Sequence, residues 1–283
     1  MEIIFDLRQM QRLCADLRRE GRRIAFVPTM GYLHEGHLSL LREGRARGDV
    51  LVLSIFINPA QFGPSEDLDA YPRDLQRDLD MALSVGTDLV WTPTPQQIYP
   101  DGYATYVNVE GLTEVLCGAS RPGHFRGVTT VVCKLFNVVQ PHVALFGQKD
   151  FQQLAVIRRM TLDLNLPVEI VGMPIVRETD GLAMSSRNVY LSPAQRQQAL
   201  VLSRAIAVAQ QMARDGVTDG GEILAALHSM IAEQPDARVD YLQICHQSTL
   251  REQARVDGDS VLLMAVFVGK TRLIDNSFLL EIR

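Results

Sequence analysis

The chain has 283 residues and a formal charge of −5, with 28 Lys and Arg against 33 Asp and Glu. At roughly 150 residues per domain, this length fits one large or two modest domains, and the hydrophobic fraction of 47% is ordinary for a globular enzyme. The negative balance argues against nucleic acid and anionic membranes as partners. The longest stretch without Asp, Glu, Lys or Arg covers 50–65, too short for the roughly 20 apolar residues of a membrane-spanning helix.

Charged residues and cysteines indicate where the protein resides. The first twenty positions carry eight Asp, Glu and Arg residues, which leaves no room for the apolar region of a secretory signal. The four cysteines are scattered and form no C-x-x-C pair, so we expect reduced, mostly buried thiols. Both features predict a cytoplasmic protein.

Hydrophobic periodicity predicts alternating helices and strands over the first 180 residues. The expected elements are a helix over 7–17, a strand over 24–27, a helix after the turn at 28–37, a strand over 50–57, a helix after Tyr71-Pro72, a strand over 89–91, a helix over 128–139, a strand over 143–146, a helix over 152–164 and a strand over 168–171. The run over 50–57 is apolar except for Ser54, which is typical of a strand buried on both faces of a parallel sheet. We therefore predict a doubly wound, mainly parallel Rossmann-like α/β domain over 1–180.

The pattern of predicted helices and strands changes in the last third of the chain. A short strand is expected at 175–176. It is followed by a helix over 194–214, a break at Gly220-Gly221, a helix over 222–233 and strands over 239–244, 261–268 and 272–282. Two helices followed by three strands predict a second, smaller α+β domain over 181–283.

The loop after the first predicted strand of the parallel sheet carries two histidines. His34 and His37 flank Gly36 where a helix begins. Gly36 keeps side-chain bulk away, and a helix N-terminus offers free N–H groups and partial positive charge to a phosphate. For an isolated H-x-x-H, two solvent-facing histidines are the commoner interpretation. A metalloprotease zinc site requires a spacing of four and is disfavoured.

Position favours the phosphate interpretation, because H-x-G-H after a first strand resembles the nucleotidylyl transferase superfamily, in which it binds the phosphates of ATP. Such folds usually have a second phosphate-binding loop. Here Met184-Ser185-Ser186-Arg187-Asn188 offers two hydroxyls and a guanidinium to the β and γ phosphates, with a simple polar turn as the alternative.

A third candidate segment, 146–150, ends a predicted strand. Lys149 can neutralise charge on the reacting phosphate, and Asp150 can accept hydrogen bonds from ribose hydroxyls. A surface ion pair is the alternative interpretation.

Several blocks together resemble the pantothenate synthetase (pantoate–β-alanine ligase) family over nearly the whole chain. The blocks are 28–37, 54–63, 67–73, 147–153 and 180–188, with 271–276 as the clearest part of a small lid domain. The resemblance implies that pantoate attacks ATP in the presence of Mg²⁺ to give pantoyl adenylate and pyrophosphate. β-Alanine then attacks the adenylate to give pantothenate and AMP, with no covalent enzyme intermediate.

The same resemblance implies roles for individual residues. His37, His34 and Lys149 would be catalytic, with His37 donating a proton or stabilising charge. The ATP-binding set would be Met30, Gly31, His34, Gly36, His37, Gly147, Lys149, Asp150, Val176, Met184, Ser185, Ser186 and Arg187. The pantoate and β-alanine set would be Gln61, Gln153, Asn58 and Tyr71. Neutral amides can orient pantoate without a competing charge.

Two assignments are less defined. Asp78 would contact Mg²⁺, through water, because Mg²⁺ dehydrates reluctantly. The segment 121–126, with Arg121 and His124, would either border the substrate entrance or form a solvated loop. The family also implies a homodimer.

Two other functions stay open from the sequence. One is a nucleotidylyl transferase that joins a nucleotide to a phosphorylated acceptor and leaves the nucleotide in its product. The other is a regulatory protein that binds nucleotides without turnover.

Overall fold

The computed structural model describes residues 1–64 and 66–280. Its larger sheet has the strand order β1-β4-β3-β2-β5-β6, and every neighbouring pair is parallel. The strands are β1 (Glu2–Ile4), β2 (Ile24–Thr29), β3 (Val50–Ile55), β4 (Leu89–Trp91), β5 (Val143–Gly147) and β6 (Glu169–Met173). The predicted parallel α/β fold is confirmed.

Helices cover both faces of this sheet. They are α1 (Leu7–Arg19), α2 (Glu35–Arg47), α3 (Leu75–Ser84), α4 (Pro95–Ile98), α5 (Cys117–Ser120), α6 (His124–Val139) and α7 (Phe151–Asp163). Successive β2 residues point to opposite faces. Phe26 packs in one core with residues of α1, α6 and α7, and Val27 packs in another with residues of α2 and α3. Burial on both faces explains why these strands are almost continuously apolar.

The strand order also defines where a ligand is expected. The chain proceeds outward from β2 through β3 to β4 and then crosses to β5 on the other side of β2. In open α/β sheets, ligands bind beyond the carboxyl ends of the strands at such a switch point. The loops after β2 and β5, which carry 30–37 and 147–150, therefore meet there.

The C-terminal part of the chain forms the predicted smaller α+β unit. Its three antiparallel strands lie in the order β7-β8-β9. The elements are α8 (Pro193–Ala199), α9 (Val201–Arg214), α10 (Gly220–Ala232), β7 (Ala237–His246), β8 (Ser260–Val268) and β9 (Thr271–Phe278). These elements share a separate apolar core. The boundary predicted at residue 180 falls between β6 and α8, and the division into two domains stays a prediction.

Some element predictions were wrong. The expected strand at 175–176 is instead one arm of a hairpin closed by a single bridge between Arg177 and Ala183. The expected helix over 194–214 is divided at Leu200, because residues on both sides of this turn, including Ala199 and Val201, are buried in the same core. Hydrophobic periodicity does not detect such an interruption.

Other boundaries also differ. Gly220 and Gly221 lie in the first turn of α10, because the Asp219 side chain accepts hydrogen bonds from two backbone N–H groups there. β1 was not predicted, since three residues at a sheet edge carry little periodicity. The last strand ends at Phe278, and 281–282 of its expected range lie outside the described residues.

The four cysteines are free, and Cys14 and Cys245 are buried. In the part of the chain that the structure describes, no helix is both long and apolar enough to cross a membrane.

Candidate active site

Two adjoining cavities lie at the switch point of the parallel sheet. The smaller measures about 240 Å³, and the larger, which extends to the C-terminal sheet, about 1080 Å³. The predicted ATP and pantoate residues, except Gly31, line the smaller cavity: Met30, His34, Gly36, His37, Asn58, Gln61, Tyr71, Gly147, Lys149, Asp150, Gln153, Val176, Met184, Ser185, Ser186 and Arg187. The fold therefore brings together segments that are far apart in sequence.

The histidine pair has a defined geometry. The rings of His34 and His37 lie 4.0 Å apart between centroids. The backbone N–H of His34 donates to Nδ1 of His37 at 3.2 Å. A neutral His37 ring therefore carries its proton on Nε2. A Cβ at position 36 would lie 2.9 Å from Cε1 of His34, so a larger residue there would displace the His34 ring.

Both rings are held in the neutral form. Burial, and then the charge of Lys149, lower the pKa of His34 to about 4. Burial and the neighbouring His34 hold the pKa of His37 well below its usual range. A neutral ring with its proton on Nε2 can donate a hydrogen bond to a phosphate oxygen.

Asp78 holds the backbone of the histidine loop through hydrogen bonds. Its carboxylate accepts hydrogen bonds from the backbone N–H groups of Tyr32 at 2.7 Å and Leu33 at 2.6 Å. Gly31 and Tyr32 both have positive φ, and a Cβ at Gly31 would lie 3.0 Å from the Asp78 carboxylate. The predicted Mg²⁺ contact of Asp78 stays a prediction. The structure adds a second role for this residue, which is only 1% exposed.

Two of the pantoate candidates, Asn58 and Gln61, are hydrogen-bonded to each other. Nδ2 of Asn58 donates to Oε1 of Gln61 at 3.0 Å and to the Gly127 carbonyl, and Oδ1 of Asn58 accepts from the Tyr99 hydroxyl at 2.8 Å. Asn58 is 1% exposed, so it orients the Gln61 amide. Nε2 of Gln61 is directed toward the Met30 sulfur at 3.2 Å. Sequence reasoning missed Tyr99, which lies outside every block that resembles the family.

The segment 121–126 borders the cleft, as one of its two interpretations predicted. Nδ1 of His124 lies 2.8 Å from the Gln61 carbonyl, and Nε2 lies 3.2 Å from the Arg121 guanidinium. Since a guanidinium only donates, the Nδ1–H of His124 must donate to the Gln61 carbonyl. Burial and the charge of Arg121 lower the pKa of His124 to about 4. Arg121 also forms a bidentate ion pair with Glu66.

Two adjacent glutamines on α7 have different environments. Gln153 faces the cleft. Gln152 is buried, where Oε1 accepts from the Cys117 N–H and Nε2 donates to the carbonyls of Leu112 and Val115. The helix thus presents the Gln153 amide to the cleft, and the Gln152 amide holds the segment that precedes α6.

The second predicted phosphate loop lies opposite the histidines. Ser186 donates from Oγ to the Tyr32 carbonyl at 3.3 Å, and Arg187 forms a bidentate pair with Asp67 at 3.0 and 2.8 Å. The Arg187 guanidinium also lies 5.7 Å from the centre of the Tyr71 ring. Asp67 lies in a block that resembles the family, but no role was predicted for it.

Known proteins with similar sequences identify the family of the chain. A family model described as pantoate-beta-alanine ligase matches residues 2–278. A pantothenate synthetase of Syntrophotalea carbinolica is 62% identical over 99% of both chains. One of Syntrophus aciditrophicus is 57% identical over 98% of this chain and 96% of the relative. The chain belongs to the pantoate–β-alanine ligase family.

Solved structures agree with this assignment. The pantothenate synthetase of Thermus thermophilus superposes with a TM-score of 0.94 at 46% identity, covering 99% of this chain and all of that one. The pantoate-beta-alanine ligase of Francisella tularensis, described as complexed with beta-gamma ATP and beta-alanine, superposes with a TM-score of 0.81 at 31% identity, covering 99% and 98%. The predicted family and fold class are confirmed.

Proposed function

We propose that this ligase uses ATP to join pantoate to β-alanine through a pantoyl adenylate, with release of pyrophosphate and AMP. The observation that carries the proposal is that the phosphate-binding candidates and the neutral glutamines share one cleft at the switch point. The family membership and the ligands named for the Francisella relative support it.

In the first step, a pantoate carboxylate oxygen attacks the α-phosphorus, and the bond to the bridging oxygen of the β-phosphate breaks. Gln61 and Gln153 would hold pantoate, because their amides donate to a carboxylate and accept from a hydroxyl. The hydrogen bond from Asn58 to Oε1 of Gln61 directs the Gln61 Nε2 toward Met30 and the cleft. Holding the reactants in this way lowers the entropic part of the barrier.

Charge that develops on the α-phosphate would be stabilised by His37 and Lys149. The neutral His37 ring would donate from its Nε2–H, and Lys149, which follows β5, would supply positive charge. Ser185, Ser186 and Arg187 would bind the departing pyrophosphate. Arg187 would then exchange Asp67 for phosphate oxygens.

In the second step, the β-alanine amine attacks the acyl carbon, and AMP leaves with the oxygen that pantoate contributed to the acyl-phosphate bond. No side-chain nucleophile is required, so the residues that bind the phosphate also suffice for this step.

Mg²⁺ is expected to enter with ATP, whose phosphates supply oxygen ligands. Over 1–64 and 66–280, no three His, Cys, Asp or Glu side chains are grouped to hold a metal ion. Asp78 does not fit as a direct ligand, since its oxygens already accept two backbone N–H groups. Asp150, exposed at the edge of the cleft, offers a carboxylate to a hydrated ion. When bound, Mg²⁺ would neutralise phosphate charge.

The enzyme is further proposed to act in the cytoplasm as a homodimer. Free thiols agree with a reducing compartment, and dimerisation rests on family resemblance alone. Gel filtration at the working concentration tests the dimer, and elution as a monomer would contradict the proposed homodimer.

The decisive experiment incubates the protein with ATP, Mg²⁺, pantoate and β-alanine and omits each component in turn. Pantothenate should form, with repeated release of AMP and pyrophosphate, only in the complete mixture. Without β-alanine, ATP and pantoate should release pyrophosphate only once per active site. Multiple-turnover AMP release without β-alanine, or activity without pantoate, would contradict the proposed ligation.

A further inference from the structure

Two adjacent residues of β9 contact two different loops of the cleft. Asn276 donates from Nδ2 to the carbonyls of Gln148 at 3.0 Å and Lys149 at 2.8 Å. Asp275 accepts from both terminal nitrogens of Arg177 at 2.7 and 2.9 Å. Successive side chains of a strand point to opposite faces, so one dipeptide can reach two separate segments.

Both residues of this pair are buried, Asp275 to 2% and Asn276 to 6% exposure. The bond from the backbone N–H of Asn276 to Oδ1 of Asp275 fixes the carboxylate further. Hydrogen bonds in such surroundings have defined geometry, because leaving either partner unsatisfied is costly. The dipeptide is therefore a rigid point in the C-terminal sheet.

The Arg177 contact reaches the second phosphate loop. Nη1 of Arg177 also donates to the Gly181 carbonyl at 3.1 Å, and the Met184 N–H donates to the Val176 carbonyl at 3.0 Å across the same hairpin. Ser185 follows directly. Through the guanidinium, Asp275 thus fixes the hairpin from which the phosphate-binding side chains project.

The Asn276 contact reaches the turn that carries Lys149, another segment proposed to bind the phosphates. The carbonyls of Gln148 and Lys149 belong to a 3-10 turn between β5 and α7. Fixing both carbonyls fixes the peptide planes on either side of the Lys149 Cα. The direction in which the Lys149 side chain leaves the backbone is then fixed as well, and that side chain lines the cleft.

We propose that Asp275-Asn276 positions Lys149 and the Ser185–Arg187 segment relative to each other around the ATP phosphates. Both are positioning residues for the adenylation step, and the inference rests on the proposed function. Through these contacts, the C-terminal sheet helps to hold the groups that stabilise the transition state. A misplacement of such groups by about 1 Å costs on the order of 100-fold in rate.

The first test replaces Asn276 by Asp, which has the same shape but no donor for the two carbonyls. Pantoyl adenylate formation, measured in a single turnover per folded protein, should slow by about 10- to 100-fold. Asn276→Ala should give a similar loss if Asn276→Asp fails to fold. Ser277→Ala is the matched control, because it removes a β9 hydrogen bond to Gln210 without contacting either loop, and it should keep the wild-type rate.

A double-mutant cycle distinguishes a positioning effect of Asn276 on Lys149 from a general loss of stability or activity. If Asn276 acts through Lys149, Asn276→Ala should cost less than about threefold in a Lys149→Ala background. Similarly, Arg177→Lys should slow adenylate formation in the wild type and have little further effect with Arg187→Ala. In the crossed pair, Arg177→Lys with Lys149→Ala, the two losses in the rate of adenylate formation should nearly multiply.

Full multiplicative losses in the matched pairs, or a normal rate in folded Asn276→Ala, would overturn the proposal. The wild-type reaction is the reference for the function itself. If the wild type releases no pyrophosphate from ATP and pantoate, the proposed function fails, whatever the variants do.

Discussion

The two segments that we propose to bind the phosphates are held in different ways. The histidine loop, 30–37, rests on the buried carboxylate of Asp78 within its own domain. The segment 176–188 is fixed at Arg177 by the buried Asp275, but its other charged side chains form ion pairs with partly exposed partners, such as Arg187 with Asp67 and Glu178 with Arg196. Buried charged hydrogen bonds fix geometry strongly, whereas exposed ion pairs contribute about 0–1 kcal/mol.

This difference indicates a division of labour. Under the proposed function, the histidine loop is prearranged around the reacting α-phosphate, as electrostatic stabilisation of a transition state requires. Under the proposed function, Arg177 stays on Asp275, whereas the partly exposed Arg187 exchanges Asp67 for phosphate oxygens. Substitutions in each segment, taken in decreasing order of expected effect, test this contrast.

His37→Ala should have the largest effect, because the lost donor acts on charge that develops in the transition state. Removing one donor of this kind costs about 3–4 kcal/mol in comparable sites. Single-turnover formation of pantoyl adenylate should therefore fall steeply, while ATP affinity, measured by calorimetry, changes little. Near-normal adenylate formation in folded His37→Ala would refute the assignment.

Asp78→Asn should affect both stability and rate. The amide can accept only one of the two backbone hydrogen bonds well, and its NH₂ would oppose the other N–H. We expect the free energy of unfolding, measured with urea, to fall by about 1.5–3 kcal/mol. Asp80→Asn on the exposed side of α3 is the control. Equal effects of the two substitutions would show that Asp78 does not support the loop.

Gln61→Ala and Gln153→Ala should raise the pantoate requirement by about 1–3 kcal/mol of binding free energy, since the ligand loses hydrogen-bond partners. ATP affinity should stay nearly unchanged in separate titrations. Gln152→Ala, next to Gln153, should reduce stability instead, because that amide holds 112–117. A loss of ATP affinity alone in Gln61→Ala or Gln153→Ala would mean that these residues bind ATP and not pantoate.

Stability should depend on pH through the histidines of the cleft. His34 and His124 have a pKa of about 4 in the folded protein and ordinary values near 6.5 when unfolded. The unfolded state therefore binds more protons between these values, so stability is lost as pH falls from about 6.5 to 4. Each histidine contributes up to about 1.4 kcal/mol per pH unit.

The measurement is urea unfolding at several pH values in that window. His124→Gln should reduce the slope of the unfolding free energy against pH by about one proton. An unchanged slope would mean that His124 is protonated in the folded protein.

Asp67→Asn should have the smallest effect. Its ion pair with Arg187 is 27% exposed on the Asp67 side and 30% on the other, so the free energy of unfolding should change by less than about 1 kcal/mol. Because Arg187 no longer has to leave a carboxylate, the ATP concentration for half-maximal rate should stay equal or fall. A stability loss as large as that of Asp78→Asn would remove the contrast between the two segments.

Local patterns predicted much of the fold. β4 was predicted with its observed bounds, and the helix and strand assignments around β2, β3 and β5 were correct to within a few residues. Failures occurred where local patterns carry no information. The helices on both sides of Leu200 pack in one core with strands far along the chain, and Arg177 of the hairpin at 176–184 pairs with Asp275, which is also distant in sequence.

Resemblance to the ligase family, and not a local pattern, predicted the pantoate-binding residues of the cleft. The alternation of buried strands and helices and the glycine beside His34 could be inferred from the amino-acid sequence itself. These features follow from periodicity, steric freedom and residue chemistry, which are local properties. The support of the histidine loop by Asp78, the orientation of Gln61 by Asn58 and the contact of Asn276 with the Lys149 turn emerged only from the folded structure. Each depends on a hydrogen bond between groups that the chain brings together only when the sheets are assembled, so no spacing in the sequence specifies them.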